Sequence, residues 1–235
     1  MNDQELTILL KELNLKIEKL KCSLPQKTPI LFCKSVDPSR AMIFREACLH
    51  RITELCESAY DAFAKKRLIT AFILCRAFME TETLFWSFID MLKNSLQTRK
   101  TDEIRNFLSK CLAGIKDKEI KKFRNPEESN KVPDPINVLT LIQKTMGNAI
   151  KHYPLHYASL CEFTHPNAAG TVDAYVAYDW KENIATFRTN TEKLKEEQAL
   201  PHLVASLEAF ICLYNESATQ LEEFIELCES LVPLP

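Results

Sequence analysis

Glycine is almost missing from this chain, with 3 in 235 residues. So few glycines leave little room for turns that need positive φ, and none opens a helix as a phosphate-cradling loop. P-loop and dinucleotide-type nucleotide sites are thereby excluded. Long apolar runs are missing too: Arg76, Glu80 and Glu82 interrupt the longest, so no segment reads as a membrane span. The start, M-N-D-Q-E-L, has neither the basic residues nor the apolar core of a signal peptide. No C-x-x-C occurs among the nine scattered cysteines, Cys22, Cys33, Cys48, Cys56, Cys75, Cys111, Cys161, Cys212 and Cys228. Several fall on apolar helix faces, where a thiol acts as a small hydrophobe. These absences predict a reduced, cytoplasmic protein that does not engage a membrane. Charge of one sign is lacking as well, and a net charge of -2 exerts no overall pull on nucleic acid or lipid.

What is present is ordinary globular material: 46% hydrophobic and 26% charged residues, ample for a core. The charge is uneven, with ten Lys or Arg against six Asp or Glu over 99–131 and nine Glu against two Lys over 191–229. Each block reads as a solvated helix face. The length fits one domain, 1–235, whose first 37 residues form an N-terminal helix and linker. The expected fold class is mainly α: a helical bundle around a central buried helix at about 68–96, with one inserted β-hairpin at about 171–189.

Hydrophobic periodicity supplies the elements. Leu6, Leu9, Leu10, Leu13, Ile17 and Leu20 mark a helix from about Gln4 to Lys21, ended by Pro25 and Pro29 and followed by an extended linker. Asp37 and Pro38 open a second helix to about Lys65, with Phe44, Cys48, Ile52, Leu55, Ala59 and Phe63 on one face and a tight break at 65–67. Thr101 and Asp102 cap a fourth helix through about Ile120. A loop follows from Arg124 to Pro135. Asp134 and Pro135 open a fifth helix to about Ile150, and Pro154 starts a sixth through about Phe163. Thr171 to Trp180 and Asn183 to Thr189 alternate as two strands joined at 181–183. A two-stranded hairpin is marginal in water, so it is expected to pack on the helices. The remainder, about Glu192 to Leu231, is helical with a break at Pro201. Its apolar stripe of Leu203, Leu207, Phe210, Leu213, Leu221, Phe224 and Leu227 should close the bundle.

The central helix, L-I-T-A-F-I-L-C-R-A-F-M-E-T-E-T-L-F-W-S-F-I-D-M-L-K-N-S-L, is apolar on nearly every side. One stripe differs. Arg76, Glu80, Thr83, Ser87, Asp90 and Asn94 alternate in steps of four and three and fall within a wedge of roughly 80°. Such a seam is either the helix's wet face or a buried polar network. Arg76 and Glu80, one turn apart, are expected to pair and to face protein. Were the pair fully buried, Arg76→Ala would cost roughly 3–5 kcal/mol by stranding Glu80.

The second informative stretch is Tyr157 to Gly170, Y-A-S-L-C-E-F-T-H-P-N-A-A-G. Together with Arg76 and Glu80 it resembles an uncharacterised bacterial family that pairs an R-x-x-x-E helix with an S-E-F-x-H-P-N-x-x-G segment. The matching residues are Arg76, Glu80, Ser159, Glu162, Phe163, His165, Pro166, Asn167 and Gly170. That family is distantly similar to the HEPN superfamily of helical bundles, which includes metal-independent endoribonucleases of toxin and phage-defence systems. The resemblance implies a HEPN-like bundle with hairpin over 38–235, and it sets His165 where the HEPN histidine stands. The HEPN motif carries an Arg, then four to six residues, then that His. Here the corresponding positions hold Leu160, Ser159 and Ala158.

Three functions follow. The first is a non-catalytic HEPN-like module that binds a partner protein, a nucleotide or RNA. Its polar cluster would be Arg76, Glu80 and His165, with Ser159, Glu162 and Asn167 in the network. The second is a divergent metal-independent endoribonuclease in which Arg76 stabilises phosphoryl charge and His165 moves the proton. The third is a metal-binding protein built on His152, His156 and His165, although Pro154 spoils a continuous helix between the first two. Otherwise no metal and no cofactor is expected, and a homodimer remains open. His165 is expected within side-chain reach of Arg76 or Glu80. A literal Arg-x-x-x-x-His, Arg45 to His50, arises readily by chance and reads as an ordinary exposed helix pair. Tyr153, Tyr157, Tyr175, Tyr178 and Trp180 cluster around the same turn and hairpin, able to stack a base or simply to form cross-strand pairs.

Overall fold

A computed structural model describes residues 1–30, 33–124 and 126–232. Leu31, Phe32 and Asn125, within the expected linker and loop, lie outside the described residues. The chain is mainly helical. Helix α1 spans Asp3–Ser23 and opens with a capping box. Asn2 accepts the Glu5 amide at 2.9 Å while Glu5 accepts the Asn2 amide at 2.9 Å, satisfying two amides that a helix start leaves free. Helix α2, Asp37–Ala64, has Pro38 in its first turn and buries Phe44, Cys48, Ile52, Ala59 and Phe63. It ends in the expected tight break. Lys66 takes a left-handed φ of 56°, its amide meets the Phe63 carbonyl, and the Arg67 amide meets that of Ala62, a glycine-type stop built on lysine.

Helix α3, Leu68–Thr98, is the centre. It packs against α2 and against four elements that follow it: α4 (Asp102–Ala113), α6 (Val138–Leu141), α8 (Tyr153–Thr164) and α9 (Leu200–Leu231). Its Phe72, Phe78, Phe85 and Phe88 are fully buried. Phe88 meets Phe44 of α2, which meets Phe107 of α4, and Phe85 meets Phe210 of α9 at 4.8 Å between ring centres. Aromatic edges of this kind add to the hydrophobic burial that holds the bundle. Helix α9 closes the bundle on α1, α2 and α3, with Pro201 in its first turn, where a missing amide hydrogen costs nothing. No described helix is long and apolar enough to cross a membrane. All nine cysteines are free. Burial pushes the Cys111 and Cys228 thiols up to about 12.

The C-terminal helix begins at Leu200 and not at about Glu192, and three further boundaries depart from the sequence expectation. The fourth helix stops at Ala113 instead of Ile120. Gly114 is the reason: a Cβ there would sit 2.7 Å from the Pro135 Cα, and the next residue, Ile115, donates to the Pro133 carbonyl at 3.0 Å. A short helix α5, Lys118–Arg124, follows. The fifth helix opens at Val138, capped by Asn137, whose side chain accepts the Leu139 amide at 3.1 Å. Asp134 is engaged by Lys121 at 2.7 Å instead of capping. Beyond α6 the chain runs through a π-turn, Ile142–Met146, into α7, Gly147–Ala149.

The hairpin is the third departure. Strands β1 (Val176–Asp179) and β2 (Ile184–Phe187) pair antiparallel, but Ala169–Asp173 is a π-turn, so the strand expected from Thr171 begins later. Asn167 drives this. Its side chain accepts the Gly170 amide at 3.0 Å, and its carbonyl accepts the Thr171 amide. The hairpin does not pack on the helices as expected. All four β2 residues are exposed, and β1 neighbours chiefly the π-turn that precedes it.

Candidate functional site

The seam on α3 has three parts. At the top, Arg76 Nε lies 3.2 Å from Glu80 Oε1, with the two side chains 29% and 32% exposed. Helix α8 covers them. The Tyr157 hydroxyl donates to the same Glu80 oxygen at 2.7 Å, and Arg76 Nη1 donates to Thr164 Oγ1 at 3.1 Å. Burial and the bond to Glu80 push the Tyr157 hydroxyl well up, so it stays a donor. In the middle, Thr83 and Ser87 are buried and return their hydroxyls to the carbonyls of Met79 and Thr83. At the bottom, Asp90 and Asn94 are exposed, and Asn94 donates to Glu103 at 3.0 Å. The seam is therefore neither wholly wet nor wholly buried.

The other predicted site residues do not converge on it. His165 is exposed at the end of α8, and its side chain makes no hydrogen bond among the described residues. Its neighbour Thr164 meets Arg76, so the bond from α8 to Arg76 comes from Thr164 and not from the expected His165. Glu162 is bonded by Asn167 at 2.8 Å, and Ser159 is exposed. His152 and His165 bracket α8, a separation of roughly 20 Å at the helical rise, so the histidine trio does not gather. Among the described residues no group of three or more His, Cys, Asp or Glu could hold a metal ion. Arg45 is not an exposed partner of His50. It is largely buried, bonded to Glu46, Ser217 and Tyr214, with its guanidinium 3.6 Å from the Tyr214 ring centre. His50 faces the Pro25 carbonyl.

The sequence reading passed over Glu82. It is 1% exposed, and burial raises its carboxyl from 4.5 to about 8. The Tyr153 hydroxyl lies 2.8 Å from Glu82 Oε2 and 3.0 Å from the Met79 carbonyl. The Tyr153 hydroxyl donates to an ionised Glu82; when Glu82 holds its proton, the hydroxyl accepts from it and donates to the Met79 carbonyl. Glu82 Oε1 makes no hydrogen bond of ordinary geometry among the described residues, although the nearby Ser206 hydroxyl acts on the same carboxyl and favours its ionised form. Glu82 borders a cavity of about 160 Å³ between α3, α8 and α9, lined also by Met79, Ile150, His152, His156, His202 and Ser206. His156 stacks on His202 with centroids 3.7 Å apart. Burial lowers both imidazoles, His156 to about 4. The sequence did carry a signal: Glu82 shares a helix face with Phe78, Phe85 and Ile89, at spacings of four, three and seven, where a carboxylate is out of place. Nothing local pointed to His202, which reaches the cavity from a helix over a hundred residues away in sequence.

The hairpin offers the most exposed apolar surface. The register pairs Val176 with Phe187 and Tyr178 with Ala185, placing these side chains on one face. Tyr178 stacks on Trp180 at 4.9 Å and 16°. Tyr178, Trp180 and Phe187 are 50%, 78% and 78% exposed. An open concavity of about 1000 Å³ lies against the strands, bordered by Arg188 and Lys193. No family model matches this chain, and neither a curated protein nor a solved structure matches it.

Proposed function

We propose that this protein is a non-catalytic, HEPN-like helical module that binds a partner protein through the apolar face of its hairpin. The observation that carries the reading is the exposure of Tyr178, Trp180 and Phe187 on one side of a sheet that stands off the bundle. A contiguous exposed patch of aromatic residues marks an interaction site, and Trp and Tyr dominate the energetics of protein interfaces. The face formed by Val176, Tyr178, Ala185 and Phe187 carries no cation, which favours protein over phosphate backbone. Among the described residues both outer strand edges of the two-stranded sheet are unpaired, open to strand addition. The non-catalytic reading is supported at Arg76, whose Nε and Nη1 are engaged by Glu80 and Thr164 while His165 makes no bond to it.

The test places a photo-crosslinking phenylalanine at position 187, with position 8 on α1 as control, in cells that make the protein. The expected result is a discrete protein adduct at 187 that weakens with Trp180→Ala. Adducts to RNA alone, or none above the control, overturn the reading. Cleavage of labelled RNA in EDTA to 2′,3′-cyclic ends, lost in both His165→Ala and Arg76→Ala, would restore the endoribonuclease.

A further inference from the structure

We propose that the cavity between α3, α8 and α9 binds a small primary ammonium compound, with Glu82 as its counter-charge and the His156–His202 stack at its rim. This site is separate from the hairpin. Three features point to it.

The first is the orphan acceptor. Glu82 lines the cavity, and its Oε1, itself buried within the wall, makes no hydrogen bond among the described residues. Buried acceptors without a donor are rare and costly. An N–H donor placed in the cavity removes that deficit.

The second is the charge of the lining. Neither Lys nor Arg contributes to it, so an anion would find no counter-ion. The groups that do face inward are acceptors or amphoteric: Glu82, the Ser206 hydroxyl and imidazoles that burial keeps neutral. A buried cation requires a paired carboxylate, and Glu82 supplies one on giving up its proton.

The third is shape. The walls include Met79, Ile150, Ala205 and Ala209, an apolar sleeve for a short hydrocarbon body. A volume of about 160 Å³ equals roughly five liquid water molecules, which limits the occupant to an amine of a few carbons.

Proton balance follows. Near pH 7 Glu82 holds its proton and the free amine is an ammonium ion. Binding therefore forms an ion pair and releases one proton from Glu82 to solvent. Affinity should rise with pH until Glu82 is ionised in the free protein, near 8. The ionisable groups around Glu82 are Tyr153 and His156 of α8, His152 just before it, His202 of α9, Cys56 of α2 and, two turns back on α3 itself, Cys75. Burial pushes Tyr153 and both cysteines far up, so they do not compete for this proton.

The experiment is calorimetric titration of the full chain with n-butylamine hydrochloride. It is run at pH 7 in two buffers of different ionisation heat, beside n-butanol, butyrate and zinc chloride. The expected result is saturable binding of butylamine with release of about one proton, and none of butanol or butyrate. Glu82→Gln keeps the shape and removes the charge, so it should weaken binding at least tenfold. Ala205→Leu, at the exposed rim, should block entry without touching Glu82. A cavity that holds only water gives no saturable heat with butylamine, which overturns the proposal. Equal binding by Glu82→Gln, preference for butyrate, or stoichiometric zinc binding lost in His156→Ala overturns it equally.

Discussion

Glu80 and Glu82 stand two residues apart on α3, and the helix keeps each charge problem separate. Glu80 lies on the seam, a third exposed, and meets Arg76 and Tyr157. Glu82 points some 200° away around the helix into the junction with α8 and α9, where no cation reaches it. One carboxylate is held by pairing and the other by protonation, with a folded-state value near 8. The contrast shows that a glutamate in an apolar helix is not one kind of signal. What faces it across the packing interface decides whether it is an ion pair or a neutral acid.

The largest expected effect sharpens this contrast through pH. Glu82 is raised from 4.5 to about 8 on folding, so between those values the folded state holds a proton that the unfolded chain has lost. Its contribution to stability is fully present below 4.5 and is lost as pH rises through 8, at about 1.4 kcal/mol per pH unit. His156 and His202 act in the opposite sense. Their folded values are depressed, His156 to about 4, so stability rises with pH up to the ordinary histidine range. The clean window is therefore pH 6.5 to 8. Urea denaturation across it should show wild type losing stability while Glu82→Gln stays flat, and parallel curves would refute the neutral-acid assignment.

Next in size is Tyr153→Phe. It removes the hydroxyl that bonds Glu82, while the Met79 carbonyl keeps the Thr83 hydroxyl as a donor, at a cost of about 1–3 kcal/mol. Chemical denaturation at pH 6 reads this directly. A loss below 0.5 kcal/mol would mean that the hydroxyl contributes nothing there.

Arg76→Ala should cost less, about 1 kcal/mol, because its pair with Glu80 is a third exposed and screened by solvent. The fully buried case, several times larger, does not apply. Arg76→Ala, Glu80→Ala and the double variant form a cycle whose coupling should be favourable but below 1 kcal/mol. Additive losses would show that the two residues act independently.

The smallest effect contrasts the bundle with its hairpin. Trp180→Ala should change stability by no more than about 0.5 kcal/mol, as for other exposed positions, while weakening partner capture. A large loss of stability would place Trp180 in the packing of the fold and remove the interface reading.

The helices were legible because their evidence is local. The 3.6-residue recurrence of Phe44, Cys48, Ile52 and Phe63, and of Leu203, Leu207 and Phe210, marks a face that must be buried whatever covers it. The break at 65–67 and the buried centre at Leu68–Thr98 followed from the same pattern. Gly114 escaped notice because its constraint comes from Pro135, a contact between chain segments. Thr171 read as strand because alternation cannot register the Asn167 turn that keeps the chain helical through Asp173. The seam was half legible. Arg76 and Glu80 pair within one helix, so spacing alone revealed them, whereas the choice of Thr164 over His165 depends on how α8 docks.

Sequence by itself determined the helical class, the central element and the Arg76–Glu80 pair, since each rests on contacts within a turn or on one helix face. Tertiary structure decided which polar group is wet, which is paired and which is neutral. It set Tyr153, His156 and His202 around Glu82, and it left Tyr178, Trp180 and Phe187 uncovered. Periodicity specifies that a face is buried but carries no information on which distant helix buries it, and side-chain chemistry across that interface sets charge and protonation.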